Sequence, residues 1–188
     1  MSHVAPQTQD RPAAAPSALA EVYRAHFSYV WHAARRVGIA SADLEDVVQE
    51  VFVVVGRKLP EFDVTRPLKP WLFGILYRVA LDWRRRGFRT REVPVDELVE
   101  TDPRDGPEQQ VERGQQRALV AKALDALDWD KRVVLVMHEF QELGVPEIAA
   151  VLGIPVNTAY SRLRLARRDF SDAVRAASGG GGHVQQRA

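Results

Sequence analysis

Residues 143–168 read LGVPEIAAVLGIPVNTAYSRLRLARR, and this stretch decides the fold. Pro146–Leu152 has the length and apolar spacing of a short helix, Gly153-Ile154-Pro155 breaks it, and Val156-Asn157-Thr158 opens another. Two helices joined by a tight glycine turn predict a helix-turn-helix, whose second helix lies in the DNA major groove with its N-terminal residues at the base edges. At 3.6 residues per turn, Ala159, Leu163, Ala166, Phe170 and Val174 form one apolar stripe that packs inward. Asn157, Ser161, Arg164 and Arg168 fall on the opposite side, with Tyr160 and Arg167 flanking them. Asn and Arg suit bidentate contacts to bases, and Ser and Arg also hold phosphates.

Working outward, Leu119, Ala123, Leu124 and Leu127 mark one preceding helix, and Val133, Val136, Met137 and Phe140 mark another. Residues 115–176 thus form one helical domain, followed by a Gly-rich tail at 177–188. Upstream, residues 91–114 show no apolar period and carry Pro94, Pro103, Gly106 and Pro107, which predicts a flexible linker. Residues 18–90 hold three further amphipathic helices. The first is stopped at Gly38, the second is capped by Ser41 and ends near Gly56, and the third has Pro70 in its first turn and Gly87 at its end. Residues 1–17, rich in Pro, Ala and Gln, read as a disordered arm. The fold class is all-α, with two small helical domains joined by an acidic linker.

Net charge is only +1, yet the charges are segregated. Glu92–Glu112 holds eight acids and one base, whereas Asn157–Arg175 holds five arginines and two acids. That separation predicts a basic contact surface and a linker that competes for, or avoids, the same polyanion. The absence of cysteine excludes disulfides and thiolate metal sites. His26, His32 and His138 are not paired at ligand spacing, and no P-loop or nucleophile–base motif occurs, so neither a metal, a cofactor nor an enzymatic activity is expected. No signal peptide or membrane-length apolar run is evident, and a cytoplasmic protein, nucleoid-associated when at work, is expected.

Two faces of the first domain point to partners. On its second helix Asp43, Asp46 and Glu50 project together, about 130° from the apolar centre, with Val53 and Val54 alongside. Carboxylates beside exposed valines suit a protein-docking face better than a solvated one. On its third helix Trp71, Gly74, Arg78, Leu81 and Arg85 line the side away from the core, and Arg84-Arg85-Arg86, Arg89 and Arg91 prolong it as a basic ridge near Tyr77. Arginines with aromatic rings suit single-stranded or melting DNA, because rings stack on bases while guanidinium groups hold phosphates.

Taken together these segments resemble the extracytoplasmic-function (ECF, group four) sigma factors of bacterial RNA polymerase. The resemblance rests on Asp43-Leu44-Glu45-Asp46-Val47-Val48-Gln49-Glu50-Val51-Phe52, on Trp71-Leu72-Phe73-Gly74-Ile75 with Asp82-Trp83-Arg84-Arg85, and on Glu147-Ile148-Ala149 with Asn157-Thr158-Ala159-Tyr160-Ser161-Arg162-Leu163. It implies a sigma region 2 domain at 18–90 and a sigma region 4 domain at 115–176. The first would dock on the clamp of core polymerase through Asp43, Asp46, Gln49, Glu50, Phe52 and Val53. It would also recognise and help melt the −10 element through Trp71, Gly74, Arg78, Arg84 and Arg85, with the 59–69 loop taking a flipped base. The second would read the −35 element with Asn157, Thr158, Tyr160, Ser161, Arg162, Arg164 and Arg168, near the polymerase flap. The linker would run through the polymerase near the template and RNA exit path, and an anti-sigma factor is implied by analogy alone. Departures from the family pattern are Tyr77-Arg78 for Arg-Asn, Asn157 for Gly, Tyr160 and Leu165 for basic residues, and Gly144 for a Ser or Thr helix cap. The −35 preference of relatives is therefore not carried over. A conventional helix-turn-helix regulator acting without polymerase is the alternative, but it has no use for the acidic helix at 43–55.

Overall fold

The computed structural model describes residues 16–86 and 107–179, and every long element among them is helical. Three helices make the first domain: α1 (Pro16–Arg36), α2 (Leu44–Lys58) and α3 (Leu68–Arg85). Four make the second: α4 (Pro107–Asp125), α5 (Trp129–Glu139), α6 (Val145–Leu152) and α7 (Val156–Gly179). The predicted arm, most of the linker and most of the tail lie outside the described residues.

The first core follows the predicted spacings. Val30, Ala33 and Ala34 of α1, with Val37 just beyond its end, meet Val47, Val48, Val51 and Val55 of α2 and Leu72, Phe73 and Leu76 of α3, all essentially without solvent contact. Truncating a fully enclosed aromatic such as Phe73 to Ala costs about 3–5 kcal/mol. Glu45 and Asp46 in the first turn of α2, and Arg57 and Lys58 in its last, complement the helix dipole.

Boundaries differ from the sequence reading at five places. Helix α1 already begins at Pro16, where a proline fits a first turn. Ser41 does not cap α2: Ser41–Asp43 forms a separate 3₁₀ turn, the Asp43 N–H bonds the Ala40 carbonyl at 2.9 Å, and Asp43 holds the cap position. Gly56 does not end α2, which runs on to Lys58; there a Cβ would stand 2.9 Å from Leu19 Cδ2, so the glycine makes room for α1. Helix α4 starts at Pro107, eight residues before the predicted domain edge. Its opening, Glu108-Gln109-Gln110, is helix-favouring but polar, and an apolar-period search passes over it. Helix α7 reaches Gly179 and takes in the start of the predicted tail.

The second domain packs α7 across α4, α5 and α6. Ala159, Leu163 and Ala166 are buried against Val133, Val136 and Ile148, with Phe170 half-buried beyond. Gly153 takes φ +66, the left-handed conformation that glycine adopts without a steric penalty, and its N–H caps α6 through the Ala149 carbonyl. At the other end of α6, the Glu147 carboxylate accepts the Gly144 N–H at 2.9 Å, so this half of a capping box survives without a serine.

The two domains touch. Val151 of α6 lies over Gly74 of α3, where an added Cβ would sit 3.6 Å from Val151 Cγ1. Tyr77 of α3 stacks on Trp129 of α5, with centroids 5.5 Å apart. Arg132 of α5 crosses to the end of α1, donating from Nε to the Arg36 carbonyl at 2.5 Å and from Nη2 to the Arg35 carbonyl at 3.2 Å.

Candidate nucleic-acid and polymerase interfaces

The α7 face is set by its buried stripe. With Ala159, Leu163 and Ala166 turned inward, Asn157, Tyr160, Ser161, Arg164 and Arg168 are exposed, and Tyr160 keeps 54% of its surface. Asn157, Ser161 and Arg164 form a row along the first two turns, the part of a recognition helix that enters a groove. Thr158 is half-buried at the helix start.

Two arginines of the predicted set have other duties. Arg162 turns back toward α5 and pairs with Asp130 at 2.7 Å. It braces the helix instead of joining the outward row. Arg168 stays exposed, but its guanidinium donates to Asp169 at 2.9 Å. Asp169 also accepts from Lys131 of α5 at 2.8 Å, and these two donors hold its carboxyl below the usual range. The flanking Arg167 donates to Glu139 at 2.8 Å. The reader helix is thus fastened to α5 by three polar ties on its sides, which leaves its outward row open.

The α2 face is divided. Asp46, Gln49 and Val53 are exposed, and Val53 keeps 47% of its surface. Asp43 is half-buried at the helix start. Phe52 corrects the docking set. It is only 5% exposed, with its ring edge-on to Tyr23 at 4.7 Å, so it belongs to the core and supports the face from behind. Glu50 is half-buried and accepts the Trp83 indole N–H at 2.5 Å, with Arg86 4.0 Å away. It ties α2 to α3 at the edge of the same face.

On α3, Arg78, Arg84 and Arg85 are exposed, with Arg85 3.9 Å from Asp82. Trp71 is half-buried and packs on Phe62, at 4.7 Å between centroids, which sets it beside the 59–69 loop. Gly74 is buried under α6, and Arg84 lies over the Trp129 ring at 4.6 Å. The side read from sequence as open is therefore partly covered by the second domain. Arg89 and Arg91 lie outside the described residues. Sequence reasoning missed Trp129 and Arg132; contacts between residues some fifty to a hundred positions apart leave no periodic trace, and only a tryptophan opening a helix beside an aspartate hinted at a special surface. Among the described residues no cluster of His, Asp or Glu could hold a metal ion, and no helix is long and apolar enough to cross a membrane.

Comparison with known proteins agrees with this division. Residues 22–90 match the family described as Sigma-70 region 2, and residues 117–170 match Sigma-70, region 4. The chain is 33% identical over 186 residues to the RNA polymerase sigma factor CnrH of Cupriavidus metallidurans, covering 88% of this chain and 94% of that one. It is 34% identical to the ECF RNA polymerase sigma factor SigL of Mycobacterium tuberculosis, covering 83% and 89%. Among solved structures, CnrH in complex with the cytosolic domain of CnrY superposes with a TM-score of 0.60 at 32% identity, over 85% of this chain and 89% of that one. The sigma factor RpoE in complex with the anti-sigma factor NepR, from Bartonella quintana, gives 0.67 at 19% identity over 85% and 98%, a likeness of fold. With both domains matched in order and full-length relatives at this identity, the chain belongs to the sigma-70 family as an RNA polymerase sigma factor of the ECF type, which directs transcription initiation.

Proposed function

We propose that this sigma factor reads its promoter at two points. Helix α7 enters the major groove of the −35 element, and the α3 side of the first domain takes the −10 element and helps to melt it. Asp46, Gln49 and Val53 on α2 dock the factor on the clamp of core polymerase, and the second domain sits near the flap. The observation that carries this reading is the exposed row Asn157, Ser161, Arg164 standing opposite a fully buried stripe. A helix with no groove to enter has no need of base-reading residues in its first turns. The chain performs no catalysis of its own in this reading; the chemistry belongs to the polymerase. It acts in the cytoplasm, with an anti-sigma protein as a further partner, a class supported by the CnrH–CnrY and RpoE–NepR assemblies. Protection of a selected promoter by core plus this chain tests the reading. Footprints at both −35 and −10 are expected, and a footprint at −35 alone would overturn the second point of contact.

A further inference from the structure

We propose that the cleft where the end of α1 meets α4 and α5 is a binding site for a small organic acid, a carboxylate or phosphate carried on a compact apolar body. None of its lining residues belongs to the promoter-reading or polymerase-docking faces proposed above.

The cleft has a volume of about 330 Å³, at the small end of the range in which proteins hold organic ligands. A water takes a share of about 30 Å³, so there is room for roughly ten non-hydrogen atoms. The lining changes character along one helix. Arg113, Gln116, Arg117, Val120, Ala121 and Leu124 recur three and four apart on α4, so they share one side of it. The first half of this row is polar and cationic, and the second half is apolar. Ile39, just beyond α1, adds to the apolar part, and both it and Leu124 are buried. Phe140, just past α5, contributes an aromatic ring.

Cations dominate the rest. Arg35 and Arg36 reach the cleft from the last turn of α1 and join Arg113 and Arg117 of α4. The Arg36 guanidinium lies over the Phe140 ring, 4.7 Å from its centroid, beside apolar surface where a charge pair is screened less than in water. Arg132 is the buried member of the set. It donates to Asp125 and to the carbonyls of Arg35 and Arg36, which fixes the helix end on which those two arginines stand. Gly38 gives it passage: with φ +96 and no side chain, it leaves a gap where a Cβ would stand 3.1 Å from the Arg132 guanidinium. Among the described residues the lining holds one carboxylate, Asp125, and Arg132 already pairs with it at 2.6 Å. Five arginines against one carboxylate leave an excess of positive charge around an apolar floor. Each part of that lining calls for one part of the ligand. Guanidinium groups bind carboxylate and phosphate oxygens in paired hydrogen bonds, and the apolar floor takes the body that carries them. A neutral apolar molecule leaves the arginines uncompensated, and a bare inorganic anion leaves the floor unused. A nucleic-acid strand needs a groove that tracks its backbone, whereas this cleft is bounded by three helices.

An NMR titration of the full chain with decanoate tests the site. The backbone amide signals of Ile39, Val120 and Phe140 are expected to shift along one saturating curve. Decyl phosphate separates the two heads: saturable binding of either acid at these residues supports the site, and the tighter of the two identifies the head. Decanol and acetate are each expected to bind at least about tenfold more weakly than decanoate, because one lacks the charge and the other the body. Arg113→Glu with Arg117→Glu is expected to weaken decanoate binding at least about tenfold, the effect of losing hydrogen bonds to a charged group. Arg57→Glu with Lys58→Glu, the same charge change at exposed positions outside the cleft, is expected to leave it unaltered. Far-UV circular dichroism confirms that each variant is folded; should the Arg113/Arg117 pair unfold the chain, Arg35→Gln with Arg113→Gln decides. Absence of a saturable shift at the cleft with both acids, equal affinity for decanol, or equal affinity in the folded charge-reversed chain would overturn the proposal. Acetate binding as tightly as decanoate would reduce the cleft to a small-anion contact and overturn it too. A single-stranded DNA oligonucleotide that moves the same signals at lower concentration than decanoate would assign the cleft to nucleic acid instead.

Discussion

Arg164 and Arg162 stand two positions apart on α7 and do different work, because a helix turns 200° between them. Arg164 faces out beside Ser161, whereas Arg162 faces α5 and Asp130. Replacing Arg164 by Ala is expected to weaken binding to a −35 duplex by about 1–3 kcal/mol, the worth of a bidentate base contact. Unchanged affinity of the isolated complex on a gel or in anisotropy would show that the row does not read bases. Glu50 offers a second residue-scale test. Glu50→Lys removes the hydrogen bond from the Trp83 N–H to the carboxylate and is expected to lower folding stability by about 1.5–3 kcal/mol, the worth of a hydrogen bond to a charged group; an unaltered urea midpoint would contradict it. Asp169 supplies a pH test. Its pKa is depressed by hydrogen bonds from Lys131 and Arg168, so its contribution is complete above the unfolded value of about 3.9 and is lost as pH falls through the lower folded value. A carboxyl NMR titration should place its midpoint below the ordinary range, and a midpoint at or above that range would exclude the tie to α5. None of these partners was legible in the sequence. Spacing said which way Arg164 points, but not that Arg162 would find Asp130.

At the scale of elements, the apolar periods located the seven α-helices of the described residues, and the stripe on α7 emerged as read. What the periods could not supply was the ends. Helix α4 opens on a polar turn, and α2 runs through Gly56 because a glycine that accommodates Leu19 is indistinguishable in sequence from one that stops a helix. The α2 face was legible as acidic and partly apolar, yet Phe52 was placed on it by family likeness and lies in the core. The proposed docking face is thus narrowed to its exposed members, Asp46, Gln49 and Val53. Asp46→Lys combined with Val53→Asp is expected to reduce affinity for core polymerase at least about tenfold, in line with a like-charge and desolvation penalty at a docking face. Helicity and −35 duplex binding should stay as in the native chain. Native-like core affinity in a pull-down or by biolayer interferometry would move the docking site elsewhere.

As a whole molecule, the chain is two helical domains that cover part of one another. The helix-turn-helix alone would support binding to any duplex with a suitable site. In the proposed function the first domain makes it one half of a paired reader, with the α2 face as the polymerase contact. Composition hid this arrangement: a net charge of +1 averages an acidic linker against a basic reader. The domain contact was beyond any sequence pattern, because Arg132 meets α1 nearly a hundred residues away. The central claim is that both domains act together on polymerase and promoter. Run-off transcription with purified core enzyme and a library of randomised promoters measures it most directly. Addition of this chain should yield a specific transcript from templates sharing both a −35 and a −10 sequence, with Arg164→Ala and the Asp46→Lys/Val53→Asp pair each reducing it. Folded protein that yields no specific transcript with core from a cognate host, or one that depends on a single element, would contradict the account.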